Sequence, residues 1–309
     1  MMTIDVFASA NQILPGVIDL RRKIHANPEL GNQLPETTAA VLNELSDLGL
    51  EIRASKETTS LIATLKGEGD GPRILLRGDM DALPMPEDND LSFASRNANK
   101  MHACGHDAHT AMLVGAARLL HENKEHVNGT VRIFFQTGEE GYYGAKVVLD
   151  EGMFEAPYSP DAIFALHITP LMDSGKFTGR PGPILAAADT WKIKVTGKGG
   201  HAAEPHRSID TTLVGCHIVV ALQSVVSRNI DPLDAVVVTV GTFQTDSSAS
   251  NVIANTVVME GTVRTLDPEN RKLAEARIRQ IATSTASAYG AKAEVIWEDG
   301  YPATINHPD

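Results

Sequence analysis

Cysteine is almost missing from this chain: its 309 residues include two, Cys104 and Cys216. Two thiols cannot build the disulfide framework of a small secreted domain, so apolar cores must hold the fold. Basic residues are also short, 27 Lys and Arg against 39 Asp and Glu, for a net charge of −12. Binding a phosphate backbone takes clustered Lys and Arg, which excludes nucleic acid as the main partner. No apolar run approaches the ~18 consecutive residues of a membrane span. The opening MMTIDVFASANQILPGVIDL lacks a basic stretch followed by an unbroken apolar one, so no secretory signal is expected. The expectation is a soluble, cytoplasmic protein with neither a nucleic-acid nor a membrane partner.

Apolar residues make up 42% of the chain, and its length suits two domains. Four short apolar runs, SLIATLKG (60–67), RILLRG (73–78), VRIFFQ (131–136) and DAIFALH (161–167), are mostly continuous rather than alternating. That pattern fits strands covered on both faces. Helical patterns lie between them at 35–50 and 108–123; in the second, Met112, Ala116, Leu119 and Leu120 fall on one face. Strand and helix alternating in this way predict an α/β layer with a mostly parallel central sheet.

A Gly- and Pro-rich segment, SGKFTGRPGPILAAAD (174–189), reads as a crossing between domains. Beyond it come a strand at 190–197, a helix at 208–229, strands at 235–243 and 256–266, a helix at 268–290 and a strand at 291–298. The order β-α-β-β-α-β is the split βαβ unit of ferredoxin-like domains. Asp267-Pro268 supplies its second helix with a cap and a first-turn proline. The expected organisation is a catalytic domain over 1–183, an inserted ferredoxin-like domain over 184–298, and a return to the first domain at 299–309.

The chemistry gathers at the strand ends of the first domain. RILLRG runs into Asp79-Met80-Asp81, VRIFFQ reaches Glu139-Glu140, DAIFAL ends in His167, and MHACGHDAHT (101–110) precedes a helix. Ligand sites of open α/β sheets form at the carboxyl ends of strands. Taken singly, each group has an ordinary explanation: a solvated turn, surface charge, a satisfied histidine, a small buried thiol. Together they converge on one crevice, and Cys, His and carboxylate donors suit zinc, manganese, cobalt or nickel better than magnesium or calcium. Cys104 and His106, two apart, cannot share one helix face and are expected on a loop, with Asp107 capping the helix after it. Glu139 and Glu140 cannot point the same way if extended, so one can ligate while the other faces substrate. Cys216, mid-helix among Val and Leu, reads as apolar packing.

The motifs GDMDALP (78–84), MHACGHDAHT (101–110), QTGEEG (136–141), ALHITP (165–170), GKGGHAAEPH (197–206), VSRNIDPLDAVVVTVG (226–241) and GTVRTLDPE (261–269) together resemble the M20 metallopeptidase/amidohydrolase family. RRKIHANPELG (21–31) fits that family's first helix. The similarity is to its aminoacylase-like branch of hippurate, indole-acetyl-amino-acid and N-acetyl-diaminopimelate hydrolases. It implies a zinc-peptidase-like catalytic domain, an inserted lid and dimerisation domain, two divalent ions (Mn, Zn, Ni or Co) and an N-acyl amino acid substrate. It implies metal ligation by Cys104, His106, Glu140 and His167, and Glu139 as the base that deprotonates water. It also implies that His201 stabilises the oxyanion in the partner subunit's site, that Asn251 and Arg264 lie near the substrate carboxylate, and that Asp81 orients a ligand.

The resemblance further implies a last histidine ligand beyond residue 309; His307 is not in its motif, and the chain is expected to be truncated. A homodimer is expected through the inserted domain. Strand 256–266 would need covering, and Ile218, Val219, Leu222, Val225 and Val226 would offer a packing face. The rival expectations are a di- or tripeptidase of the same family and a binding or scaffold protein without metal.

Overall fold

The computed structural model describes residues 5–308. The chain divides into two compact units, Met1–Ser174 and Gly175–Asp309.

The first unit contains α1 (Val6–His25), α2 (Pro35–Leu45), β1 (Glu51–Ala54), β2 (Leu61–Lys66), β3 (Gly69–Asp79), α3 (His106–Glu122), β4 (Asn128–Gln136), α4 (Gly144–Asp150) and β5 (Ala162–Ala165). Its sheet has the order β1-β2-β4-β3-β5. β3 runs parallel to both β4 and β5, while β1 and β2 form an antiparallel margin. All four apolar runs form strands. β1 escaped notice because EIRA is four residues long and largely exposed.

The continuous apolar runs are explained by burial on two sides. Leu61, Ala63, Ile133 and Phe135 face a core shared with Leu20, Val41 and Val114 of the helices. Ile62, Leu75 and Phe134 face the other side, under Val148 and Met153. Fully burying each such side chain contributes about 1.5–3 kcal/mol. Helix α2 starts with Pro35 at its first position and has no side-chain cap of its own. The Glu29 carboxylate instead accepts the N–H groups of Glu36 at 3.2 Å and Thr37 at 2.8 Å, filling the role of a cap.

Two local expectations need correction. The helix after the Cys104 loop begins at His106, not beyond it, and Gly105 at φ +87° is its N-cap. Asp107 is therefore inside the first turn, and its carboxylate serves Arg21 and His25 instead of capping. The buried stripe of α3 runs through Ala111, Val114 and Ala117, whereas Met112 is 40% exposed.

The second unit contains β6 (Gly182–Leu185), β7 (Ala187–Thr196), β8 (Gly200–His201), α5 (Thr211–Asn229), β9 (Val236–Thr245), β10 (Val252–Ile253), β11 (Thr256–Thr265), α6 (Pro268–Ala288), β12 (Lys292–Tyr301) and β13 (Thr304–Asn306). An antiparallel sheet of order β12-β7-β11-β9 carries α5 and α6. Residues alternate strictly along β7, with Trp191, Ile193 and Val195 under the helices. Gly261 sits at an irregularity of β11, where any Cβ would collide with the Trp191 ring. Asp210 caps α5, and Asp267 caps α6 just ahead of Pro268, as the sequence suggested. Residues 175–183 and 299–309 group with this unit, where β6 and β13 pair with each other.

The apolar face expected to meet a partner is used internally. Ile218, Leu222 and Val225 are fully buried against the sheet. β11 is flanked on both sides, leaving β9 and β12 as the edges. Helix α5 is long and apolar enough to cross a membrane by length and composition. Of that stretch, 33% is buried.

Candidate metal centre

The parallel strands β3, β4 and β5 end at Asp79, Gln136 and Ala165, so the residues after them emerge on one side of the sheet. Helix α3 starts there too. Cys104, His106 and His167 bring their donor atoms within 4.8 Å of one another, and so do His106, Glu139 and Glu140. His106 belongs to both groups.

Asp81 organises the corner. Its Oδ1 accepts the Glu139 N–H and its Oδ2 the Glu140 N–H, both at 2.9 Å, which fixes the turn carrying the two glutamates. Its main-chain carbonyl accepts from His106 Nδ1 at 2.8 Å. A carbonyl can only accept, so Nδ1 carries the proton and the Nε2 lone pair points into the corner. His167 is set the same way, with Nδ1 donating to the Ile168 carbonyl at 2.6 Å. Its Nε2 lies 3.4 Å from Cys104 Sγ.

His106 Nε2 and Glu140 Oε1 are both buried and without a hydrogen-bond partner, and they stand 3.8 Å apart. Leaving two acceptors unpaired in a protein interior is costly. A cation between two acceptors that face each other satisfies both at once. The acids around His106 favour positive charge there: against the effect of burial, Asp81, Cys104 and Asp79 push it up to about 11. A divalent cation replaces such a proton on binding. Thiol, imidazole and carboxylate donors fit zinc, manganese, cobalt or nickel, so the residues present suit a metal.

Glu139 differs from its neighbour. Its side chain is 38% exposed, against 18% for Glu140, and lies 3.9 Å from His106 Nε2. Partial burial first, and then the charges of Glu140 and Asp79, raise its carboxyl above the ordinary range. A carboxylate raised in this way is a better proton acceptor. The Cys104 thiol is also raised: the neighbouring His106 lowers it, but burial and the Glu140 charge outweigh that.

Residues behind this layer were missed in the sequence. His109, one helical turn after His106, bonds Asp79, which also takes Arg77 Nη1 at 2.5 Å. Burial would raise the Asp79 carboxyl, but His109 and Arg77 hold it well below the usual range. His25 bonds Asp107 at 2.9 Å and Glu87 at 3.1 Å, so RRKIHANPELG is tied to the Cys104 loop. The signal available was the i, i+3 spacing of His106 and His109, read there only as part of a cluster.

The second unit holds the other sequence candidates. His201 on β8 pairs in register with Val252 on β10, next to Asn251, whose carbonyl accepts the Ala202 N–H at 3.0 Å. His201 Nδ1 accepts the Ala203 N–H at 3.1 Å, which leaves Nε2 as the proton-bearing nitrogen of the neutral ring. Both residues are exposed. Arg264 lies on β11, where its guanidinium bonds Thr262 Oγ1 and the Val263 carbonyl of its own strand.

The chain is similar to known proteins along most of its length. The chain is 41% identical over 290 residues to an N-acetyl-L-cysteine deacetylase of Bacillus subtilis, covering 94% of this chain and 69% of that protein. It is 42% identical over 295 residues to the Arabidopsis thaliana IAA-amino acid hydrolase ILR1-like 5, covering 94% and 67%. Its fold superposes with a TM-score of 0.81 on the Bacillus subtilis YXEP protein, described as a dinuclear metal binding peptidase from the M20 family. That match is 35% identical and covers 97% of this chain and 76% of the other. Residues 75–309 match the model of peptidase family M20/M25/M40, and the chain belongs to that family.

Proposed function

We propose that the protein is a metal-dependent amidohydrolase that cleaves the amide bond of N-acyl amino acids, releasing a carboxylic acid and a free amino acid. The observation that carries this reading is the pair of unpartnered buried acceptors, His106 Nε2 and Glu140 Oε1, set beside the accessible Glu139 carboxylate. The two relatives named above, a deacetylase and an amino-acid-conjugate hydrolase, support the substrate class.

Cys104, His106, Glu140 and His167 hold two divalent ions, drawn from Mn, Zn, Ni and Co. Such ions supply positive charge that acidifies water and polarises an amide carbonyl. Glu139 takes the proton from the attacking water and passes it to the amide nitrogen as the C–N bond breaks. Asp81 keeps Glu139 and Glu140 at fixed directions through their main-chain N–H groups. His201, with its proton on Nε2, donates to the amide oxygen as negative charge develops. Asn251 and Arg264 bind the carboxylate of the amino acid. The second unit pairs two subunits through an exposed sheet edge, and His201 acts in the partner subunit's site.

The reading is tested by supplying the Mn²⁺- or Zn²⁺-loaded protein with hippurate, N-acetyl amino acids and unblocked di- and tripeptides. Release of amino acid from the acylated substrates is expected. Hydrolysis confined to unblocked peptides would make the protein a peptidase, and metal binding without hydrolysis would make it a scaffold. Mixing His201→Ala with Glu139→Gln protein should restore part of the activity. No recovery despite demonstrated subunit exchange would place His201 outside catalysis.

A further inference from the structure

Asp79, His106 and His109 form a third group with donor atoms within 4.8 Å of one another. By composition it is another ligand set. The hydrogen bonds assign it differently. His109 Nε2 lies 2.9 Å from the main-chain nitrogen of Ile168. That nitrogen carries a proton, so Nε2 accepts. In the neutral ring the proton is then on Nδ1, which donates to Asp79 Oδ1 at 2.6 Å. With both nitrogens engaged and the ring only 2% exposed, His109 has no lone pair to offer a cation.

Ile168 directly follows His167. Its carbonyl accepts the His167 Nδ1 proton at 2.6 Å. Its side chain occupies the space beside Gly105, where any Cβ would collide with it. One residue thus touches the His167 ring, the Cys104–His106 loop and, through His109, helix α3. This end of β5 lies at the sheet edge, and Leu166 is 72% exposed. Asp79 is itself held from two further sides, by Arg77 Nη1 and by the Thr110 hydroxyl donating to its carbonyl at 2.9 Å.

We propose that His109 is a positioning residue, oriented by Asp79, which fixes the Ile168 peptide and thereby keeps His167 Nε2 beside Cys104 Sγ. The inference rests on the metal-centre reading above. It assigns His109 a role in setting a ligand's place without being one. Partners of this kind typically change metal affinity by about 10- to 100-fold.

Two substitutions separate the bonds. His109→Gln places an amide oxygen where Nε2 stood and keeps the acceptor for Ile168. His109→Asn keeps a donor toward Asp79 but loses that acceptor. Affinity for Co²⁺, measured by competition with a chromophoric chelator, should be near wild type in the first variant. It should fall about 10- to 100-fold in the second, with a weakened thiolate-to-cobalt absorption band. Thermal unfolding of the metal-free proteins should be alike. Equal affinity in wild type and His109→Asn would overturn the proposal.

Cadmium NMR of the unsubstituted, nitrogen-labelled protein provides a check that does not depend on the variants folding. Coupling is expected to His106 and His167 and absent from His109. Coupling to His109 would make it a ligand and overturn the proposal, while absence of cadmium binding altogether would overturn the metal-centre reading itself.

Discussion

Each unit of this protein buries carboxylate oxygens, and Asp189 in one and Glu140 in the other are treated in opposite ways. In the second unit Asp189, fully buried, accepts from Arg271 Nε at 2.8 Å, Arg271 Nη2 at 2.5 Å and the Gly300 N–H at 2.9 Å. Both of its oxygens have donors, so the charge is closed. In the first unit Glu140 Oε1 is buried with no partner and faces another bare acceptor, His106 Nε2. A closed charge ties β7 to α6 and can do nothing else. An open pair of acceptors is a place prepared for a positive charge.

If that contrast is right, the largest effect lies at the edge of the open pair. Glu139→Gln should lower kcat by about 10²–10⁴-fold, because the amide cannot take a proton from water. Steady-state kinetics on an N-acyl amino acid checks this. Next comes the closed charge. Asp189→Ala removes the buried partner of Arg271, leaving that guanidinium the Gly300 carbonyl and Asp299, and should destabilise the protein by about 1.5–3 kcal/mol, read by denaturant unfolding. Bound metal per folded molecule should not change. Adding Arg271→Leu should recover much of that loss. A loss of metal in Asp189→Ala would break the comparison.

Asp81→Ala is expected to be milder and of another kind. Removing the acceptor for the Glu139 and Glu140 N–H groups should weaken metal binding by about 10- to 100-fold, measured by chelator competition, while the cores stay intact. The smallest effect belongs to an exposed pair. Asp161 accepts from Arg73 Nη2 at 2.6 Å and from the Arg73 N–H at 2.8 Å, joining the start of β5 to β3. These bonds lower its carboxyl to about 2. With the folded value below the unfolded one, the stabilisation is present above about pH 4 and is lost as pH falls toward 2. Asp161→Asn should lower stability slightly near neutral pH, as expected for an exposed pair, and its difference from wild type should vanish as pH falls toward 2.

The sequence carried most of this organisation, for identifiable reasons. Continuous apolar runs betrayed the strands of the first sheet because both of its faces are covered. Asp267-Pro268 announced α6 because capping is local chemistry. The start of α3 was misjudged because Gly105 at positive φ ends the loop abruptly, and residue spacing does not report backbone handedness. The apolar face of α5 was assigned to a partner because composition does not say what covers a face; here it is the unit's own sheet. His109 and His25 stayed hidden because their partners, Asp79 and Asp107, are 30 and 82 residues away. In the site itself, the sequence suggests unlike roles for the neighbours Glu139 and Glu140, which remain a proposal. Asp81, which grips the main-chain N–H groups of both, was not legible as the residue that fixes their turn.

The central claim is therefore that Glu140 holds metal and Glu139 does not. The direct measurement is equilibrium dialysis against Zn²⁺ followed by elemental analysis of wild type, Glu139→Gln and Glu140→Gln. The account expects Glu139→Gln to retain the wild-type metal content and Glu140→Gln to lose bound metal. Loss of metal in Glu139→Gln together with full occupancy in Glu140→Gln would contradict it.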